Sequence, residues 1–165
     1  MTPEPVSALL PDLMEELLTS GHCVRLEVGG VSMAPWLRDH DHVIVSPLNG
    51  EDARFGDLLL YRNTAGALVL HRLVRHWRDK RGRRRLQTRG DANLRLDVSI
   101  DSARVLGRVS RVEKSGLGQI DLERAGERVR AVSLATGKLL CSAIYYKLRA
   151  TRLREKFAEA LSSQP

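Results

Sequence analysis

The feature that most constrains the fold is a series of short apolar runs between Cys23 and about Lys114, with no helical period between them. Val24, Leu26 and Val28 alternate with Arg25 and Glu27, which gives a strand one apolar face. Val43-Ile44-Val45, Leu58-Leu59-Leu60-Tyr61 and Leu68-Val69-Leu70 are continuous runs bounded by turn residues. Leu73, Val74 and Trp77 extend the last of these, and Leu86 to Thr88 forms another candidate. Val105, Leu106, Val109 and Val112 surround Gly107, a position expected at a bulge or tight bend. Strands this frequent leave no room for helical crossovers, so they are expected to pair antiparallel. The expected fold is mainly β: an antiparallel, partly closed sheet.

Helices are expected at both ends. Val6, Leu9, Leu10, Leu13, Met14, Leu17 and Leu18 recur at spacings of three and four, one apolar stripe that predicts an amphipathic helix packing on the domain. Gly21 follows as its stop. After Ile120 to Leu122 the pattern turns helical again, weakened at Gly137. The expected organisation is an N-terminal helix over 1–21, a β domain over 22–122 and a long C-terminal helical segment over 123–165.

A chain of 165 residues fits one compact unit, and with aromatics at 4% its core must be built mostly from Leu, Val and Ala. The net charge of +7, carried mainly by Arg, draws nucleic acid, anionic lipid or acidic peptides without choosing among them. The basic tip Arg78-Asp79-Lys80-Arg81-Gly82-Arg83-Arg84-Arg85 has no interleaved aromatics on which bases could stack, so it reads as a solvated turn. No specific nucleic-acid partner is expected. Cys23 and Cys141 form no CxxC, which excludes a disulfide-dense scaffold and a zinc ribbon; whether they pair stays open. Asp39-His40-Asp41-His42 has the composition of a metal cluster, but alternate strand residues point to opposite faces. No metal and no cofactor are expected. The N-terminus combines no positive region with an apolar run, and no stretch reaches the ~18 apolar residues of a span. A soluble, cytoplasmic protein is expected, with peripheral membrane contact and oligomeric state left open.

The most informative stretch is Gly29-Gly30-Val31-Ser32-Met33-Ala34-Pro35-Trp36-Leu37. Two glycines end a strand and a serine follows in a constrained turn, an arrangement that exposes a hydroxyl beside free backbone N–H groups. A serine is a weak nucleophile and needs a base within hydrogen-bond reach. His71 sits inside the run Leu68-Val69-Leu70-His71-Arg72-Leu73, and by itself a strand histidine is structural more often than catalytic. Gly90-Asp91-Ala92-Asn93-Leu94-Arg95-Leu96-Asp97 offers two carboxylates in a turn.

Taken in order, these blocks resemble the signal peptidase family of serine peptidases and its repressor-cleaving relatives. Ser32-Met33-Ala34-Pro35-Trp36-Leu37 matches the family's Ser-Met-x-Pro-x-Leu. Gly56-Asp57-Leu58-Leu59-Leu60 matches a Gly-Asp followed by an apolar run. His71-Arg72 matches the His-Arg pair of the endoplasmic-reticulum-type and archaeal-type branch. The Gly90–Asp97 block and Val105-Leu106-Gly107-Arg108-Val109 complete the series, which spans roughly residues 24 to 113. The resemblance implies the sheet of the signal peptidase and repressor-cleavage type, here without a membrane anchor. It further implies Ser32 as nucleophile, His71 as general base and Asp97 holding the imidazole, with Asp57 and Asp91 as structural acids. Gly30 departs from the family, which commonly has a hydrogen-bonding residue there. An oxyanion hole would then depend on backbone N–H groups near Val31 and Ser32, whose loss costs ~3–4 kcal/mol in comparable sites. Met33 and Leu37 either line the apolar substrate cleft or pack in the core. The function so implied is a serine endopeptidase cutting a peptide or protein precursor after small residues. The alternatives are a peptide-binding module of the same fold and, less favoured, a basic nucleic-acid-binding protein.

Overall fold

A computed structural model describes residues 6–114 and 118–122. Helix α1 (Val6–Thr19) is followed by strands β1 (Val24–Glu27), β2 (His42–Pro47), β3 (Leu58–Arg62), β4 (Leu68–Arg78), β5 (Arg84–Arg89), β6 (Ile100–Asp101), β7 (Val105–Lys114) and β8 (Gly118–Asp121). The strands form one sheet in the order β1-β2-β7-β3-β4-β5-β6, with β8 pairing to β7. Every pairing is antiparallel, and the sheet curls into a half-barrel.

The continuous apolar run of β3 has a physical reason. Successive strand residues face opposite sides, and β3 has a core on both. Leu58 and Leu60 join Leu18, Val28, Met33, Leu37, Val43, Val45, Val109 and Val112 on one side. Leu59 and Tyr61 join Ala53, Leu73, Leu86, Ile100 and Val105 on the other. At Gly107 the β3–β7 register slips, with Leu60 opposite Gly107 but Tyr61 opposite Val105. A Cβ at Gly107 would lie 2.6 Å from the Ser46 carbonyl oxygen, so only glycine lets β2 approach this closely.

Helix α1 ends as its sequence predicts. Gly21 has φ 87°, and the N–H groups of Gly21 and His22 cap the carbonyls of Leu18 and Leu17. Its apolar stripe is only partly covered: Leu18 is buried in the core, whereas Leu13 is 51% exposed. Arg62 on β3 straps the helix down through Asp12 and Glu15, each at 2.7 Å.

The basic tip between β4 and β5 is internally engaged. Arg78 pairs with Glu51 at 3.0 Å and Arg83 with Asp79 at 3.1 Å. Arg84 donates to the carbonyls of Glu51 and Ala53, and Arg85 to that of Ser99. Arg78, Arg84 and Arg85 tie the hairpin to neighbouring segments, while the Arg83–Asp79 pair closes the turn itself. Cys23 is exposed. Cys141 and the helical segment expected over 123–165 lie outside the described residues. Among the described residues, no helix is long and apolar enough to cross a membrane.

Candidate active site

Three elements meet at one end of a groove of about 610 Å³. The first is the loop 28–41 between β1 and β2. Its base is pinched by two backbone bonds, from the Val28 N–H to the Asp41 carbonyl at 2.7 Å and from the His40 N–H to the Val28 carbonyl at 3.0 Å. Gly30, at φ 84°, turns the chain so that its N–H donates to Asp39 Oδ1 at 2.8 Å. Buried Asp41 accepts from the Arg38 N–H at 2.9 Å. His40 donates to Glu27, which with the charge of Asp39 holds its imidazole above the ordinary histidine value. Asp39, His40 and Asp41 therefore each serve the loop's own architecture. Within this frame Met33 and Leu37 are anchored in the core, at 2% and 0% exposure, and the Leu37 N–H bonds to the Met33 carbonyl. Ser32 rides between that anchor and the glycines.

The second element is β4. Its register sets His71 opposite Leu59 and Arg72 opposite Leu58, so the two neighbours face opposite sides of the sheet. The third is the segment 90–97 after β5. Gly90 lies so close that a Cβ there would be 2.6 Å from the Ser32 carbonyl oxygen and 3.0 Å from His71 Nε2. The Ala92 N–H donates to that same Ser32 carbonyl at 2.8 Å. The Asp97 main chain is tied to β5 by its N–H to the Thr88 carbonyl at 2.9 Å and by Gln87 Nε2 to its own carbonyl at 3.1 Å.

The result is a hydrogen-bonded line. Ser32 Oγ lies 3.1 Å from His71 Nε2, and His71 Nδ1 lies 2.7 Å from Asp97 Oδ2. Burial would raise the Asp97 carboxyl, but bonds from His71 and Thr88 outweigh it and hold the group below the ordinary carboxylate value. Asp97 is thus an anion at neutral pH and can only accept. In its neutral form His71 carries its proton on Nδ1, which leaves the Nε2 lone pair facing the serine hydroxyl. His71 and Asp97 retain 12% and 22% side-chain exposure, enough for a reactant to reach the imidazole.

The other expected residues separate by role. Asp91 forms a two-pronged pair with Arg72, Nε to Oδ1 at 3.0 Å and Nη2 to Oδ2 at 2.7 Å. Arg72 also donates to the Gly56 carbonyl at 2.9 Å and lies over the Trp36 ring. Asp57 accepts from the Arg54 N–H at 2.8 Å and faces Arg108 at 3.6 Å. Val31 is 75% exposed beside the serine. Among the described residues, no hydrogen bond within the loop uses the N–H of Val31, Ser32 or Met33.

The groove beside Ser32 and His71 is lined by Met14, Leu26, Met33, Val43, Leu60 and Leu70, among others. Met33 is among its lining residues; Leu37 is packed in the core cluster. Arg25 and Glu27 place charge on one wall. Strand β1 pairs only with β2, and β4 pairs with β5 only from Arg72 onward. Both therefore offer an unpaired backbone edge among the described residues.

The structural roles of Tyr61, Thr88, Gly90 and Ala92 escape sequence reasoning. Tyr61 and Thr88 read as ordinary strand residues, and Ala92 acts only through its backbone. Gly90 alone carried a signal, as a glycine in a polar turn. Comparison with protein-family models, with curated proteins and with solved structures finds no match for this chain.

Proposed function

We propose that the chain is a serine endopeptidase of the signal peptidase-like Ser-His-Asp kind, cutting an extended peptide or protein segment after small residues. The observation that carries this reading is the line Ser32 Oγ–His71 Nε2, His71 Nδ1–Asp97 Oδ2, opening onto an apolar groove beside strand edges that are unpaired among the described residues. A substrate adds to such an edge as a further strand, so its main chain supplies affinity and alternate side chains enter the groove.

In the proposed reaction Ser32 Oγ attacks the scissile carbonyl carbon while His71 Nε2 takes the hydroxyl proton. The carbonyl electron pair moves to oxygen, where backbone N–H groups near Val31 and Ser32 stabilise it. His71 returns its proton to the leaving nitrogen, the C–N bond breaks, and an acyl-serine ester remains. Water, activated by the same imidazole, hydrolyses the ester and restores Ser32. Asp97 stays ionised throughout and stabilises the transient imidazolium.

The test is cleavage of a peptide library rich in small-residue sites. Wild type should cut, and Ser32→Ala should lose roughly a million-fold in kcat. Equal cleavage by both proteins would overturn the proposal. Gly30 favours a second reading, a module that holds peptide without cutting it, because no side chain there can assist the oxyanion. That reading predicts retained, uncut peptide and no covalent adduct between Ser32 and a serine-directed probe.

A further inference from the structure

Behind Asp97 lies a pair of buried hydroxyls that the mechanism above does not use. Tyr61 on β3 and Thr88 on β5 are 2% and 0% exposed. Register places both on the side of the sheet that carries His71: Leu59 lies opposite His71, and Leu73 opposite Thr88. Thr88 Oγ1 lies 2.8 Å from Asp97 Oδ2 and 2.9 Å from Tyr61 Oη, and Tyr61 Oη lies 3.3 Å from the same Oδ2. The oxygen that receives the His71 proton donor is therefore also the one that both hydroxyls face.

We infer that Thr88 and Tyr61 are positioning residues that lock the Asp97 carboxylate in the rotamer presenting Oδ2 to His71. The inference rests on the Ser-His-Asp reading of the site. A carboxylate can turn about its Cβ–Cγ bond and offer either oxygen, or neither, to the imidazole. Two linked hydroxyls set against Oδ2 from the buried side restrict that freedom. Buried hydroxyls need partners, and Thr88 has one proton to give. Donating it to the carboxylate leaves Tyr61 to complete the set by donating to Thr88 or to Asp97. Burial pushes the Tyr61 phenol far up, so this hydroxyl remains a proton donor across the working range of pH. Together with the larger effect of the His71 bond, the same bonds outweigh the burial that raises the Asp97 carboxyl.

A pair of substitutions separates the hydroxyl from the packing of Thr88. Thr88→Val keeps the shape and removes the hydroxyl; Thr88→Ser keeps the hydroxyl and removes the methyl. Two readouts apply: the low-field proton resonance of the His71 Nδ1–H bridge, and kcat and KM on a cleaved peptide. Thr88→Val should shift or broaden the resonance and lower kcat roughly tenfold with little change in KM, since bonds to charged groups are the stronger ones. Thr88→Ser should keep the resonance. A wild-type resonance and kcat in Thr88→Val would overturn the inference, as would loss of both in Thr88→Ser, which would assign the effect to packing. Where Thr88→Val does not fold, Tyr61→Phe carries the same test, with a raised Asp97 carboxyl titration as its expected result and an unmoved one as its refutation. The resonance needs no turnover. A wild type that shows the resonance but cleaves nothing defeats the peptidase proposal and leaves this one standing.

Discussion

Asp91 and Asp97 stand six positions apart in one segment and engage two consecutive residues of one strand, yet they do opposite work. Asp91 grips Arg72, and that pair is sealed at 5% and 1% exposure. Asp97 grips His71, and that pair stays partly open. The difference follows from the pleat. Because β4 points His71 and Arg72 to opposite sides, one carboxylate meets a permanent cation inside the protein and the other meets a titratable base at a groove. A guanidinium cannot release its proton in a protein, so the first pair can only hold structure. An imidazole can, so the second can do chemistry.

The sharpest way to break this comparison is to neutralise each carboxylate in turn. Asp97→Asn should cost about 10⁴-fold in kcat, because the amide no longer holds the imidazole in the required tautomer. Its effect on unfolding by urea should be slight. Asp91→Asn should do the reverse, costing about 3–5 kcal/mol of stability by leaving Arg72 buried without its counter-charge. Its kcat, measured well below the new melting temperature, should stay within a few-fold of wild type. Similar losses of both quantities in both variants would mean that the two pairs form one unit.

The same contrast shows how much was legible in the sequence. The alternation in β1, the two-sided apolar run of β3 and the glycine after α1 were readable because each depends on local pattern or backbone strain. Ser32, His71 and Asp97 were singled out only as members of an ordered set of motifs; nothing local distinguishes His71 from a structural strand histidine. The assignment of Leu37 stayed open because an apolar residue beside a serine has the same local pattern in a core and in a cleft. Tyr61 and Thr88 were invisible for a deeper reason. Their role arises from the register of three strands, and no spacing along the chain encodes which face of β5 lies behind a loop that follows it.

Gly90 is where the two regions join, since it sits one residue before Asp91 and against Ser32 and His71. Replacing it with alanine would place a methyl 2.6 Å from the Ser32 carbonyl oxygen and 2.7 Å from Asn93 Nδ2. The Asn93 side-chain amide can swing aside, but the Ser32 carbonyl is main chain and cannot yield without moving the serine. Gly90→Ala should lower kcat about 10²-fold, the scale of a misplacement near 1 Å. Because the Arg72–Asp91 pair need not move, the stability cost should be no more than about 1–3 kcal/mol, the range of local overpacking. Full activity in this variant would show that the serine loop is free of the 90–97 segment, and the close approach would then have no catalytic meaning.

The smallest expected effect is a pH dependence carried by Asp97. The Asp97 carboxyl titrates below its ordinary value in the folded protein. A group depressed on folding binds more protons when unfolded, so its stabilising contribution is full above the unfolded value, about 4, and fades as pH falls toward the folded one. Urea unfolding of wild type and Asp97→Asn at a series of pH values reads this carboxyl together with the imidazole bonded to it, because the titrations of groups that do not touch Asp97 are common to both proteins. The stability gap should hold steady near pH 5 and close as the solution is made more acidic. A gap that widens on acidification would mean that burial, not the bonds from His71 and Thr88, governs the carboxyl. Asp97 would then lie closer to a buried neutral acid than to the anion that orients a base, and its separation from Asp91 would have to rest on the partner alone.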